Sequence, residues 1–315
     1  VNGKFYRVRC ADKGTGMRRL QSTINNDRLQ MISGEAGINV NSIFCYVDGG
    51  LLSYTVGKYI DAYRFNDVEI KSVVAFSKAH NGELGQYNIK IDDARYIYGK
   101  KDEIDSGTGT PSDQGYNWWL EEVNEIPVTI GAAGASTLYA PVALSLPEEQ
   151  GLTVYTAEQN GEYLTLTEVE SVIPANTGVI LIGTASTTYN FAISDETSDL
   201  VGQSDDDSDP VDQLTGTVAT KANPKDGTIY TLQTSDDDFV MKKYSGDNLK
   251  GFKAYYKMAD NSNVQALRLS FGETTGIDGV VNGESKLEIY DMSGRRVEKM
   301  TKGLYIVNGQ KVLVK

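Results

Sequence analysis

The only histidine of the chain is the first residue to weigh for chemistry, because imidazole is the usual general base near neutral pH. His80 stands in the segment Lys78–Gly82, which ends on Asn-Gly, a dipeptide typical of turns. A nucleophilic site would need a positioned nucleophile beside the base and an acid to orient it, and no Gly-x-Ser-x-Gly motif accompanies this histidine. We therefore predict an exposed turn histidine and no catalytic residues.

Adjacent carboxylates are the second candidate for chemistry. A glycosidase needs two acids that face each other about 5–10 Å apart, whereas neighbours such as Glu121 and Glu122, or Asp92 and Asp93, point to opposite faces of a strand. The acidic run Asp205–Asp209 offers oxygen ligands for calcium, but Pro210 interrupts the spacing of an EF-hand loop. We predict solvated acids, an acidic loop and no metal site.

The two cysteines, Cys10 and Cys45, each fall in an apolar, strand-like stretch. Together with a single histidine they do not supply the ligands of a zinc site. Two buried free thiols are the favoured interpretation, and one Cys10–Cys45 bridge is the alternative in an oxidising compartment. We expect no cofactor.

Composition limits the classes of protein to which the chain can belong. The 315 residues carry a net charge of −13, and 40% of them are hydrophobic, which suffices for packed cores in two or three domains. The acidity argues against a nucleic-acid partner, and no apolar run is long enough to predict a transmembrane segment. Tyr, Thr and Val between Gly- and Asn-bearing turns favour antiparallel sheet.

A threefold repeat organises residues 1–124. Short apolar motifs recur around Leu20, Ile60 and Ile97, each flanked by strand-like segments, at intervals of about forty residues. Three such units would close on one another and bury a shared core. The arrangement resembles a ricin-type β-trefoil, in which each repeat ends on a Gln-x-Trp signature that Asn117-Trp118-Trp119 approaches here.

The two tryptophans, Trp118 and Trp119, are adjacent, so on a strand one faces inward and the other outward. The ricin-type resemblance places Trp119 at the core position and turns Trp118 toward solvent or a neighbouring domain. An outward Trp118 is then the candidate ligand-binding residue, because an aromatic ring can stack on a sugar. An interdomain contact is the competing explanation.

The second region begins at Glu125–Pro127, which the sequence predicts to be a junction because proline resists pairing in a central strand. Alternating apolar segments follow, among them Thr137–Leu146 and Leu152–Ala157. The dipeptide Asn160-Gly161 predicts a hairpin with a type I′ turn. Many short strands without helical periodicity predict a β-sandwich over residues 125–273.

The last forty residues form a third, small β module over residues 274–315. The segments Tyr290–Val297 and Lys302–Val307 resemble the later motifs of type IX secretion sorting modules of Bacteroidetes, although the opening Pro-Asn-Pro motif is missing. The resemblance implies a secreted or cell-surface protein whose signal peptide, absent from this chain, has been removed. The Asn308-Gly309 pair predicts a closing hairpin.

These observations predict an all-β chain: a β-trefoil-like domain, a β-sandwich and a C-terminal β-hairpin module. We expect a non-enzymatic, lectin-like adhesion protein whose partner is a glycan or cell-surface polysaccharide. The alternative is a structural or interaction region of a larger surface protein with no ligand pocket of its own. A hydrolase is the third class, and it requires distant acids to converge in a cleft.

Overall fold

The computed structural model describes residues 2–11, 18–23, 28–61, 63–93, 95–100, 103–108, 111, 114–194, 213–235, 238–260, 263–271, 289–291, 297, 303–307 and 310–314. Within these ranges the chain is all-β, with three one-turn 3₁₀ helices at Glu35–Gly37, Val40–Ser42 and Gln114–Tyr116. None of the described helices is long and apolar enough to cross a membrane. The prediction of an all-β fold is confirmed.

The strands are numbered in chain order. The first region contains β1 (Phe5–Cys10), β2 (Arg19–Ser22), β3 (Leu29–Ile32), β4 (Phe44–Val47), β5 (Gly50–Ser53), β6 (Ile60–Asp61), β7 (Arg64–Phe65), β8 (Val74–Lys78), β9 (Gln86–Ile91), β10 (Arg95–Lys100), β11 (Glu103–Gly107) and β12 (Trp118–Glu122). The second contains β13 (Glu125–Thr129), β14 (Ala135–Leu138), β15 (Leu144–Ser145), β16 (Leu152–Asn160), β17 (Tyr163–Glu168), β18 (Val172–Ile173), β19 (Val179–Gly183), β20 (Thr188–Ile193), β21 (Gln213–Thr217), β22 (Lys221–Ala222), β23 (Ile229–Ser235), β24 (Asp238–Lys243), β25 (Asn248–Leu249), β26 (Lys253–Lys257) and β27 (Ala266–Phe271). The last contains β28 (Ile289–Asp291), β29 (Gly303–Val307) and β30 (Gln310–Val314).

The first twelve strands pair as a β-trefoil. Six of them form a ring: β1 pairs with β4 and β12, β4 with β5, and β9 with β8 and β12. A backbone hydrogen bond of 2.7 Å from Val74 N to Gly49 O links the remaining neighbours. The other six strands form three hairpins: β2–β3, β6–β7 and β10–β11. The predicted trefoil-like architecture is confirmed.

The repeat motifs found in the sequence occupy equivalent places in this trefoil. Leu20, Ile60 and Ile97 lie on the first strand of the three hairpins, and each is fully buried. Their side chains share one apolar cluster, which is completed by Trp118 and residues of the ring strands such as Val8. The threefold pattern therefore reflects three copies of one core position.

The second region folds as two large sheets and the short two-stranded pair β22–β25. One large sheet has four strands in the order β13-β20-β15-β18. In the other, a ring of seven strands closes through the pairing of β16 with β21, and β19 and β14 extend from β16. The two sheets share an apolar core that includes Ile126 and Phe191 from the first and Val154 from the second. This sandwich-like packing agrees with the predicted class.

Strand β19 has two buried faces because it lies between two cores. Val179 and Leu181 belong to the core between the sheets, while Ile180 lies inside the seven-stranded ring and Ile182 packs against that cluster. Side chains alternate between the faces of a strand, so an unbroken apolar run satisfies both cores at once.

The core between the sheets also includes one end of the trefoil. Phe5 from the trefoil and Phe252 from the second region are both almost fully buried, and their ring centroids are 5.9 Å apart. Tyr54 stacks on Phe252 at 4.9 Å and donates a hydrogen bond of 3.0 Å to Pro127 O. Residues 1–272 accordingly form one compact unit and residues 273–315 another. The domain boundary at 124/125 stays a prediction.

Two local predictions need correction. Glu125–Thr129 is not a junction but strand β13, and Pro127 is accommodated because β13 pairs only with β20 at the sheet edge. In the hairpin β16–β17, Asn160 pairs with Tyr163, and a positive φ occurs at Gly161 but not at Glu162, as in a type II′ rather than a type I′ turn.

The C-terminal unit is a three-stranded antiparallel sheet in which β29 pairs with β28 and β30. Val307 pairs with Gln310, so two residues connect the last hairpin, as its Asn-Gly sequence predicts. The predicted β-hairpin module is confirmed.

A glycine contact between the trefoil and the second region gives the first testable prediction. Gly57 has a φ of +70°, and a Cβ there would lie 2.5 Å from Thr220 Oγ1 and 3.1 Å from Gly251 N. We expect Gly57→Ala to lower the free energy of unfolding by about 2–4 kcal/mol, the sum of left-handed strain and overpacking. Gly49→Ala is the matched control, because Gly49 has a φ of +74° and open space around it. Denaturant titration of both variants measures the difference, and equal losses would show that the interface does not require a glycine.

Candidate functional site

The structure reverses the predicted orientation of the two tryptophans. Trp118 is fully buried in the trefoil core, and its indole N–H donates a hydrogen bond of 3.0 Å to Ile97 O. Trp119 is the outward residue, with the Arg9 guanidinium 5.6 Å from its ring centroid. Register explains the reversal: Trp118 lies opposite Cys10, which is itself buried. The prediction of an outward Trp118 is wrong, and this side chain offers no face on which a sugar could stack.

Glu121 and Glu122 point apart, as their positions on β12 require, whereas Asp92 and Asp93 lie not on a strand but in the turn after β9. Glu121 accepts hydrogen bonds from Arg9 and from Arg19, the latter at 2.7 Å, whereas Glu122 pairs with Lys4. Burial alone would raise the pKa of Glu121, but the hydrogen bonds from the two arginines outweigh it and hold this pKa below its ordinary value. Glu121 is therefore a paired structural acid.

The histidine and the two cysteines lie in the environments that the sequence predicts. His80 is exposed in a turn, as predicted, and Cys10 and Cys45 are buried free thiols, as predicted. Burial is the main cause that raises the pKa of the Cys45 thiol, which keeps it protonated. The acidic run Asp205–Asp209 lies outside the described residues. Within the described ranges, no group of three or more His, Cys, Asp or Glu side chains is placed to hold a metal ion.

A cavity of about 520 Å³ in the second region is the best candidate site. Its walls come from the 131–134 loop with β14, from β23 and the start of β24, from the loop before β25, and from β26. The lining combines three aromatic rings, two amides, several hydroxyls and two lysines: Phe239, Tyr244, Tyr255, Gln233, Asn248, Ser136, Thr137, Thr231, Thr234, Lys250 and Lys253. Apolar walls with a few convergent polar groups are the usual composition of a small-molecule site.

Lys253 is the most unusual group of this lining. Its ammonium donates hydrogen bonds of 2.8 Å to Ser136 Oγ and 3.1 Å to Thr137 O, both on β14. Burial, aided by the nearby charge of Lys250, lowers the pKa of Lys253 to about 8. The group therefore remains mostly protonated at neutral pH, although it is partly removed from water.

This wall joins β14 and β26, two strands that do not form a backbone ladder with each other. β14 forms a ladder with β19 and is an edge of its sheet, so its other side lacks a backbone partner. The Thr137 hydroxyl takes that role, donating to Ala254 O at 2.9 Å and accepting from Ala254 N at 3.2 Å. Lys253 immediately precedes Ala254 in β26, so these two hydrogen bonds also hold Lys253 against β14.

The loop that carries Tyr244 and Asn248 is held by a buried amide. Asn223 Nδ2 donates to Gly246 O at 2.8 Å and to Tyr244 O at 3.3 Å. The Tyr244 hydroxyl in turn donates to Asn248 O at 3.0 Å. These bonds hold the Tyr244 ring against the backbone of Asn248 before any ligand binds.

A second cavity of about 760 Å³ adjoins the first and shares Tyr244, Asn248, Lys250 and Lys253 with it. Its further lining comes from the trefoil, including Tyr54, and from Asp247, which pairs with Lys225 at 2.6 Å. The shared residues therefore form a ridge between two recesses. The first cavity is the better candidate because it adds Phe239 and Gln233 and no carboxylate is found among its described lining residues.

Sequence reasoning missed this site. It named neither Phe239 nor Lys253 as a candidate residue, and it did not predict β26, which carries Lys253. The run Lys253–Lys257 contains two adjacent tyrosines, a residue type that favours strands. No local signal places Lys253 against Ser136, which is more than a hundred residues away.

Comparisons with known proteins give no family for this chain. No family model matches it, and no curated protein matches. Among solved structures, the crystal structure of Cry35Ab1 aligns over 84% of this chain and 90% of its own, at 8% identity and a TM-score of 0.30.

Proposed function

We propose that this chain is a non-enzymatic, carbohydrate-binding module of a secreted or cell-surface protein, and that the 520 Å³ cavity is its binding site. The composition of the cavity wall carries the proposal. Aromatic rings present a flat apolar surface to the C–H face of a sugar, while amides and hydroxyls exchange hydrogen bonds with its hydroxyl groups.

Two further features support a binding role. The hydrogen bonds around Asn223 and Tyr244 hold the wall in place, so little ordering would be required when a ligand binds. Lys253 is available as a donor as well, because an ammonium has three N–H groups and only two donate to neutral acceptors here. The likeness of the C-terminal segments to sorting modules supports the surface location.

A glycan array followed by calorimetry tests the proposal. We expect reproducible oligosaccharide hits, and we expect Asn248→Ala and Tyr244→Ala each to weaken binding of the best hit by about tenfold, the loss of one amide contact or one stacking ring. Asn248 is exposed, so its variant tests the contact with little effect on folding.

Tyr163→Ala is the matched control, because Tyr163 is 48% exposed and lies outside both cavity linings. This variant should bind like the parent. An array without hits, or equal losses in Tyr163→Ala and Asn248→Ala, would contradict the proposal and favour the structural or interaction role.

A further inference from the structure

The charge of the candidate cavity is opposite to that of the chain. The net charge of the whole protein is −13, yet the described lining of the 520 Å³ cavity contains Lys250 and Lys253 and no aspartate or glutamate. In a chain with 43 acidic residues, such a wall is a local exception that requires an explanation.

Lys253 makes this exception more informative. Its hydrogen-bond partners, Ser136 Oγ and Thr137 O, are both neutral, and no described carboxylate lies within ion-pair distance of its ammonium. A partly buried cation usually gains a counter-ion, since removal of charge from water is costly. Two surface lysines do have a carboxylate partner: Lys225 pairs with Asp247 and Lys4 with Glu122.

We infer that the cavity selects an acidic sugar, and that the carboxylate of a uronic acid occupies the position beside Lys253. The inference rests on the proposed carbohydrate-binding function and adds the substrate class. Lys253 would donate its third N–H to the carboxylate, and Lys250, exposed at the rim, would add long-range attraction. Phe239, Tyr244 and the amides would hold the sugar ring, as they would for a neutral sugar.

Calorimetric titration of the full chain with trigalacturonate and with the neutral galactotriose tests the inference. We expect trigalacturonate to bind at least about tenfold more tightly at neutral pH, the effect of one charge-assisted hydrogen bond. Lys253→Met should remove most of this preference, measured as the ratio of the two affinities, and Lys253→Arg should retain part of it. Lys78→Met, which changes an exposed lysine outside the cavity, should behave like the parent.

The outcomes distinguish the acidic-sugar assignment from the carbohydrate-binding proposal. Equal affinity of the parent for both trisaccharides, or binding of neither, would overturn the acidic-sugar assignment, whereas only a glycan array without hits would contradict carbohydrate binding itself. Inorganic phosphate that competes as strongly as trigalacturonate would also overturn the assignment, because the site would then recognise charge without the sugar. Thermal melting of Lys253→Met identifies any loss of folding, since this lysine also bonds β14.

Discussion

Replacement of Trp118 by alanine is expected to lower the free energy of unfolding by about 3–5 kcal/mol, the range for deletion of a large aromatic side chain from a packed core. The indole fills the trefoil core so closely that a Cβ on Gly99 would lie 3.2 Å from its Cη2 atom. The variant would also leave Ile97 O without the hydrogen bond that the indole donates. Urea titration monitored by circular dichroism measures the loss.

Trp119→Ala is the matched control, since it removes the same side chain one residue away. Trp119 is only half-buried and stacks against Arg9 at the surface. We expect its loss to cost less than half as much as that of Trp118. Similar values for the two variants would show that the trefoil core does not depend on the inward tryptophan.

Replacement of Phe252 is the second change with a large expected effect. Phe252 is 3% exposed and stacks on Phe5 and Tyr54, so Phe252→Ala should also cost about 3–5 kcal/mol. Its φ of +55°, however, is strained for any residue with a Cβ. We therefore expect Phe252→Gly to be at least as stable as Phe252→Ala, the reverse of the usual order.

Chemical denaturation of the two variants side by side provides this measurement. Phe271→Ala is the control, because Phe271 is 55% exposed on β27. A Phe252→Ala variant within about 1 kcal/mol of the parent would contradict the proposed role of the aromatic cluster. A glycine variant less stable than the alanine variant would show that backbone strain at residue 252 is not relieved by removal of the Cβ.

Local periodicity and the repeat predicted much of the trefoil. Leu20, Ile60 and Ile97 marked its three hairpins because equivalent core positions in a threefold fold select the same apolar residues. Strand β16 likewise contains the predicted alternating segment Leu152–Ala157. These predictions succeeded because the alternation of side chains that marks a strand is a local pattern in the sequence.

Orientation and register were harder to predict. Trp118 faces inward because it pairs with the buried Cys10. In the sequence the only indication is that Trp119 and Glu121 are two residues apart, so both lie on the outward face of the strand. Pro127 was assigned to a junction because proline disrupts the pairing of a central strand. The strand order decides which strands lie at an edge, and β13 is one of them. Neither fact is encoded within a few residues.

The candidate cavity was beyond prediction for a similar reason. Its wall joins Ser136 on β14, Phe239 on β24 and Lys253 on β26, which meet only after the sheets have formed. The low pKa of Lys253 is likewise a consequence of burial, which the residue type alone disfavours.

The core shared by Phe5, Ile126 and Phe252 also constrains how this protein can change over generations. One end of the trefoil is covered by apolar side chains of the second region. Recombination that moved the trefoil alone into another gene would therefore expose that end. Each new side chain on one half must be matched by the other half, so the two should have diverged as a pair. The described lining of the 520 Å³ cavity lies outside that core, so substitutions there do not have to be matched in this way.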